Sequence, residues 1–95
     1  MHVLAVRYDL QLRAPHSLKE KRAALRPLID RLRNTGASVS EVDHHDLWQR
    51  AAIGVAIVAP DAARCDEVAD IVDRVVWSRP EMEVLGSDRR WVEWD

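Results

Sequence analysis

Alternating apolar and polar positions predict a strand at the start of the chain. Between residues 2 and 13, every second position carries a large apolar side chain: Leu4, Val6, Tyr8, Leu10 and Leu12. A period of two places these side chains on one face of an extended strand. The opposite face carries smaller or polar residues: Val3, Ala5, Arg7, Asp9, Gln11 and Arg13. The pattern therefore predicts a strand with one face committed to a core.

A helical period follows after Ala14-Pro15-His16. Ser17 and Glu20 have the spacing of a capping box, in which the hydroxyl accepts from the third helical N–H. From residue 18 the apolar positions form one stripe at helical spacing: Leu18, Leu25, Leu28, Ile29 and Leu32. Pro27 lies almost opposite that stripe, where a mild bend is tolerable. Gly36 favours a left-handed stop, so we predict a helix that starts at residue 18 and stops at 34–36.

Two strands and a second helix are predicted next. Residues 37–43 form a short polar-edged strand, and residues 50–59 (RAAIGVAIVA) have the apolar character of a central strand. Asp61 is placed to cap a helix over residues 62–78. That helix has one apolar arc: Cys65, Val68, Ala69, Val72, Val75 and Val76.

The last predicted strand covers residues 82–85, and residues 86–88 are expected to interrupt it before the segment 91–94. The order β-α-β-β-α-β contains two split βαβ units in one domain over residues 1–95. It predicts an α+β, ferredoxin-like sandwich with a four-stranded antiparallel sheet and both helices on one face. Right-handed crossovers place the strands that start near residues 3 and 51 in the middle.

Composition and termini narrow the setting. The 95 residues are 47% apolar and 32% charged with a net charge of −2, so the whole molecule is no polycation. One cysteine excludes an intrachain disulfide and any CxxC motif. The first residues lack the pattern of a signal peptide, and no apolar run approaches the ~18 residues that span a bilayer. We therefore expect a cytoplasmic protein with no membrane partner.

The near-neutral total conceals two oppositely charged helices. The first has six basic and two acidic residues, a balance of +4, and the second has five acidic and two basic, a balance of −3. One hypothesis is that the two helices share surface ion pairs. The other is that the basic stripe contacts the phosphates of RNA or an acidic ribosomal partner. The candidate residues for this contact are Lys19, Lys21, Arg22, Arg26 and Arg33. Because Lys21 falls inside the apolar arc, it must either reach past the sheet edge or have a specific partner.

The segment EVDHHDLWQR at 41–50 is the densest cluster of reactive side chains. Consecutive residues on an extended chain face opposite ways, so at most two of its Asp and His side chains converge locally, whereas zinc takes three or four ligands. We favour a turn in which Asp43 and Asp46 bind backbone N–H groups while Leu47 and Trp48 fold back as a lid. A hydrolase or metal enzyme built on Asp43, His45 and Asp46 is the weakest alternative.

Other enzyme signals are missing from the sequence. Cys65 lies in the apolar arc as a small hydrophobe, and no GxSxG, P-loop or GxGxxG occurs. The loop RAPHSL lacks the glycines with which an acylphosphatase would cradle a phosphate. No catalytic residue, metal, cofactor or small-molecule substrate is predicted.

The helix-free face of the predicted sheet carries no aromatic residue on its two central strands, which argues against base stacking as in an RNA-recognition motif. A smooth, partly apolar face favours a cover. That cover is either the tail at residues 91–94 or a second subunit in a homodimer. An alternative of equal weight is that the tryptophans of the tail close the edge of the core and cover nothing on this face.

Two segments, SLKEKR at 17–22 and VDHHDLWQRAAIGVAIVA at 42–59, resemble the YlxP-like family of small bacterial proteins of unassigned function. The resemblance continues through RLRN at 31–34 and the closing acidic-aromatic strand. It implies a ferredoxin-like sandwich with no established activity or cofactor, and a gene neighbourhood of translation and ribosome-maturation factors. It also gives weight to one candidate surface: Asp43, Asp46, Trp48, Gln49 and Arg50. The leading hypothesis is a non-enzymatic interaction module that binds RNA or a ribosomal component.

Overall fold

Six elements follow the predicted order in the computed structural model, which describes residues 1–94. They are β1 (His2–Leu12), α1 (Leu18–Arg33), β2 (Ser38–Asp43), β3 (Arg50–Ala59), α2 (Ala62–Trp77) and β4 (Met82–Val92). The strands form one antiparallel sheet in the order β2-β3-β1-β4. The ferredoxin-like α+β prediction is confirmed, including the central positions of β1 and β3.

The ends of both helices are set by local chemistry. Ser17 Oγ accepts from the Glu20 N–H at 3.1 Å, and the Glu20 carboxylate accepts from the His16 N–H at 2.6 Å. At the second helix, Asp61 Oδ1 accepts from the Arg64 N–H at 2.8 Å. Gly36 has φ = 92°, the conformation that glycine adopts at least cost. Both predicted N-caps are therefore confirmed.

One apolar cluster joins the sheet to both helices. It includes the five alternating residues of β1, each at most 3% exposed, and the inner residues of α1 and α2. Cys65 is fully buried, and its Sγ lies 3.6 Å from the carbonyl oxygen of His2. This confirms Cys65 as a small packed hydrophobe. Within residues 1–94, neither helix has the length and apolar character needed to cross a bilayer.

The last strand corrects one prediction, because β4 runs without interruption from Met82 to Val92. Asp9 pairs with Gly86 whereas Leu10 pairs with Val84, so Leu85 is an extra residue in a β-bulge. A bulge accommodates one added residue by bending the strand, and pairing then continues beyond it. The residues expected to break the strand, 86–88, instead pair with residues 7–9 in the middle of β1.

A polar contact fastens α2 to β4. The fully buried Tyr8 donates its hydroxyl to Asp73, and Arg89 donates to the same carboxylate while lying 3.6 Å from Asp70. Burial, followed by the hydrogen bond to Asp73, raises the pKa of Tyr8. The acidic helix thus pairs with the sheet. In the described part of the chain no ion pair joins α1 to α2, so the hypothesis that the helices share ion pairs is wrong.

Candidate functional site

Lys21 has a specific internal partner. Its side chain is buried although it lies on a helix, and its Nζ is 2.7 Å from Glu41 Oε2 on β2. The same ammonium donates to the carbonyl oxygen of His44 at 2.7 Å. A buried charge persists only when it is paired and hydrogen-bonded. The structure therefore removes Lys21 from the predicted phosphate-binding set, because its ammonium is not accessible to a phosphate.

Sequence reasoning missed Glu41, although a signal for it existed. Val39 and Glu41 occupy alternate positions of β2, and their partners in β3 are the buried Val55 and Ile53. An acidic residue on the core-facing side of an edge strand needs a cation, just as Lys21 in an apolar arc needs an anion. The two unusual positions explain each other.

Gln49 links the second sequence motif to the segment that precedes α1. Its side-chain amide donates to the carbonyl oxygens of Arg13 at 3.1 Å and Pro15 at 3.3 Å, just before α1. The backbone carbonyl oxygen of Gln49 accepts from the Leu12 N–H at 2.9 Å. Lys21 thus joins SLKEKR directly to DHHDLWQR, and Gln49 fixes DHHDLWQR to the end of β1 and to the loop that leads into α1.

The turn after β2 is built around His44, whose φ is 62°. The Leu47 N–H donates to the His44 carbonyl at 3.1 Å, and the His44 N–H donates to Asp43 Oδ1 at 2.7 Å. This last bond is the main cause of the lowered pKa of Asp43. The predicted backbone contact of Asp43 is thus confirmed. No corresponding bond is made by Asp46 within residues 1–94.

The charged side chains beside this turn contact one another. Arg7 lies 3.2 Å from Asp9 and 3.5 Å from Asp43, and His44 lies within 4 Å of both carboxylates. One ring nitrogen of His45 is 3.1 Å from the carbonyl oxygen of Glu41. The described residues contain no group of three or more His, Cys, Asp or Glu side chains that could hold a metal ion. The geometry thus gives the metal-enzyme alternative no support.

Leu47 and Trp48 do not form the predicted lid, since they are 48% and 50% exposed. The His44 carbonyl and the Gln49 side chain already make the contacts between this turn and the rest of the protein. Leu47 and Trp48, which lie between them in sequence, therefore point to solvent. Asp46 to Arg50 line a shallow concavity of about 400 Å³. Of the candidate surface implied by the resemblance, Asp46 and Trp48 are therefore exposed and accessible to a partner.

The remaining cations of α1 lie on the protein surface. Lys19, Arg22 and Arg26 are exposed, and within residues 1–94 none of them makes an ion pair. Arg33 is exposed and donates to the carbonyl oxygen of Val39 at 3.1 Å. Three of these cations line a concavity of about 290 Å³ between α1 and β2. Its lining comprises Arg22, Leu25, Arg26, Ile29, Asp30, Arg33 and Glu41.

Lys21 changes the electrostatics of this concavity. Glu41 would repel an anion, but the ammonium of Lys21 neutralises its carboxylate from the inside. Asp30 is then the one unneutralised acid among the described residues that line it, against three guanidinium groups. The concavity together with Lys19 forms a cationic surface that we call the α1 basic face: Lys19, Arg22, Arg26 and Arg33.

Fold and contacts together define a small ferredoxin-like α+β sandwich in which a buried ion pair joins α1 to the β2–β3 hairpin. The family model described as a protein of unknown function (DUF503) matches residues 3–89, and the chain belongs to that family. The chain is also 34% identical over 76 residues to the uncharacterized protein YlxP of Bacillus subtilis (strain 168), covering 79% of this chain and 83% of that protein. The resemblance stated from the two motifs is confirmed.

Proposed function

We propose that this protein is a non-enzymatic module that binds structured RNA through the α1 basic face. The supporting observation is that Lys19, Arg22 and Arg26 are exposed and have no carboxylate partner within residues 1–94. Elsewhere on the molecule most cations are paired, as with Arg7, Arg13 and Arg89. Unpaired cations on one helix of a net-negative protein are suited to an external polyanion.

Contact with the phosphate backbone is the mode of binding that this surface favours. At 1.5 Å per residue, positions 19 to 33 extend over ~21 Å, long enough to meet several phosphates. Long cationic side chains fix position on a nucleic acid without reading its bases. The central strands of the free sheet face carry no aromatic side chain, so base stacking there is not proposed.

The acidic helix supplies orientation in this proposal. Five acidic residues lie in or next to α2, against two arginines. Asp66, Asp70 and Glu67 are exposed on it, so a polyanion that approaches from that side is repelled. The RNA would therefore meet the molecule from the α1 side. A reducing cytoplasm is part of the proposal and suits the free, buried thiol of Cys65.

The test is the triple charge reversal Lys19→Glu, Arg22→Glu and Arg26→Glu. Because all three side chains are exposed, we expect the variant to fold, which circular dichroism and thermal unfolding will check. It should lose co-sedimentation with ribosomes and with purified structured RNA. The wild-type protein should retain both.

A matched control separates the basic face from net charge. Arg13→Glu, Arg64→Glu and Arg74→Glu change the charge by the same amount at exposed positions outside α1. The control should bind RNA far more strongly than the α1 variant. Equal loss in both variants, or undiminished binding by the folded α1 variant, would contradict the proposal.

A further inference from the structure

The face of the sheet opposite the helices, which we call the open face, is uncovered over most of its length in the described part of the chain, although Ala52 is buried near the end where His44 lies 3.8 Å from Asp9. Ala5 and Ala56 are paired at its centre, and both are exposed. Val58 is 65% exposed and Val92 is 50% exposed. Monomeric proteins rarely leave extended apolar surface without a use. We therefore expect a specific segment or partner to cover this face.

The chain's own tail does not supply that cover. Trp91 pairs with Leu4, whose side chain is in the core, so Trp91 lies on the helix side of the sheet. Trp91 is 47% exposed, and its ring lies edge-to-face against that of His2, with 6.3 Å between the ring centroids. Within residues 1–94 the tail leaves Ala5, Ala56 and Val58 exposed, so of the two covers expected from the sequence a second subunit remains.

A groove of about 550 Å³ crosses the open face between the two edge strands. Its floor is formed by small residues of the central strands, Ala5, Gly54 and Ala56, which let the groove approach the backbone of the sheet. Val42 forms one wall and sits so close to Gly54 that a Cβ there would lie 2.7 Å from Val42 Cγ1. The opposite wall comes from Asp88 and Arg90 of β4. The face is thus a shaped apolar surface with polar margins.

We propose that the open face binds a second copy of this chain, with the two sheets stacked face to face in a symmetric homodimer. This inference is independent of RNA binding, which uses the opposite side of the molecule. Stacked sheets normally lie ~10 Å apart, with small and branched side chains interdigitating between them. The alanines and valines of the open face suit that spacing.

Charge complementarity favours a second copy. On β1, Arg7 lies 3.2 Å from Asp9, and on β4, Arg90 lies 2.9 Å from Asp88, so each strand carries adjacent charges of both signs. A twofold axis brings the same surface against itself, which requires such self-complementarity. The faces of α1 and α2 fail this requirement, because each has charge of predominantly one sign.

The area of the open face is also adequate. The strands have 11, 6, 10 and 11 residues. At ~3.3 Å per residue and ~4.8 Å between strands they offer at most ~600 Å² per partner and ~1,200 Å² in total. That total lies at the lower limit of stable, specific interfaces. We therefore expect a dimer in equilibrium with monomer rather than a permanent one.

Sedimentation equilibrium of the full chain tests the proposal. The wild-type protein should reach about twice the 10.9 kDa mass of the chain as concentration rises. Ala56→Arg places a bulky charge at the centre of the open face and should raise the dissociation constant by at least about tenfold. Ala63→Arg is the matched control: the same substitution at an exposed position of α2, which should leave dimerisation unchanged. A wild-type monomer at millimolar concentration, or a dimer that persists in folded Ala56→Arg, overturns the proposal.

A second measurement needs no substitution. Dilution of ¹⁵N-labelled wild-type protein should shift amide resonances of the open-face strands, for example those of Ala5, Ala56 and Val58. Resonances along α1 should stay constant. Concentration-dependent shifts confined to the outer edge of β4 would indicate edge-to-edge pairing and contradict the face-to-face dimer.

Discussion

The two helices are fastened to the two edge strands by ion pairs of opposite polarity. In α1 the helix supplies the cation, Lys21, and β2 supplies the anion, Glu41. In α2 the helix supplies the anion, Asp73, and β4 supplies the cation, Arg89. The two contacts perform the same structural task. They differ in solvent exposure, since the side chains of Lys21 and Glu41 are 2% and 20% exposed, whereas those of Arg89 and Asp73 are 35% and 34% exposed.

This difference determines which charges remain for function. The acidic helix uses two carboxylates, Asp70 and Asp73, to hold one arginine. The basic helix uses a single buried lysine for its fastening and leaves Lys19, Arg22 and Arg26 without an internal partner over residues 1–94. On α1, one residue fastens the helix to the sheet and other residues carry the exposed charge. On α2, Asp70 and Asp73 fasten the helix and are also part of its acidic surface.

The largest effect should come from breaking the buried pair. Lys21→Ala leaves the Glu41 carboxylate without its cation, and removal of one partner from a buried pair typically costs 3–5 kcal/mol. Because Glu41 is partly exposed, we expect a loss of about 3 kcal/mol in the free energy of unfolding, measured with urea.

Two variants test the cause of that loss. Lys19→Ala, on the exposed side of the same helix, should change the free energy of unfolding by at most ~0.5 kcal/mol. Lys21→Met combined with Glu41→Leu removes both charges and should recover most of the lost stability. An equal loss in the single and double variants would show that the ion pair is not the cause.

A smaller loss is expected at the other edge. Asp73→Asn weakens the charge-assisted hydrogen bonds from Tyr8 and Arg89, and we expect a cost of about 1–2 kcal/mol in urea unfolding. Asp66→Asn, on the exposed side of the same helix, is the control and should be nearly neutral. If Asp73→Asn lowers the free energy of unfolding as much as Lys21→Ala does, solvent exposure does not determine how much each ion pair stabilises the fold.

Alkaline titration gives a further test of the α2 fastening. The pKa of Tyr8 is raised in the folded protein, so above an unfolded value of ~10 the unfolded chain releases the proton first. Stability should therefore be fully present below pH ~10 and fall by ~1.4 kcal/mol per pH unit above it. Because Tyr8 is the chain's single tyrosine, absorbance near the tyrosinate band follows this group alone. Tyr8→Phe should lose this additional pH dependence, and an unchanged slope in that variant would contradict the assignment.

The smallest effect compares a glycine near each edge strand. A Cβ at Gly54 would lie 2.7 Å from Val42 of β2, whereas nothing lies within 4 Å of a Cβ at Gly86 in β4. Gly54→Ala should cost about 1 kcal/mol through crowding, as seen by thermal or urea unfolding. Gly86→Ala should be neutral or slightly stabilising. If Val42→Ala fails to relieve the cost of Gly54→Ala, the crowding explanation is wrong.

Elements with a clear period and a local cap could be predicted from the sequence. The helix starts at Leu18 and Ala62 follow from side chains three residues away from the backbone groups that they bind. Partner choice across the fold could not be predicted in the same way. Lys21 was recognised as unusual, but its anion lies on another element, and the position of Glu41 depends on how β2 pairs with β3.

The errors have a common physical cause. The bulge at Leu85 forms because β1 offers pairing partners to the residues of β4 that follow it. The exposure of Leu47 and Trp48 depends on which groups already fill the space beneath the turn. Both are properties of neighbouring elements rather than of the local pattern. Of the five cations predicted from the sequence to bind a partner, Lys19, Arg22, Arg26 and Arg33 are exposed, whereas Lys21 is buried against Glu41.

The most direct test of the central claim is the salt dependence of RNA binding by the wild-type protein and by the Lys19→Glu, Arg22→Glu, Arg26→Glu variant. Each phosphate contact contributes ~0.7–0.9 to the slope of log affinity against log salt concentration. If the unpaired cations of α1 contact phosphates, the variant should bind more weakly and lose about two units of slope. An identical slope and affinity in the two folded proteins would contradict the account.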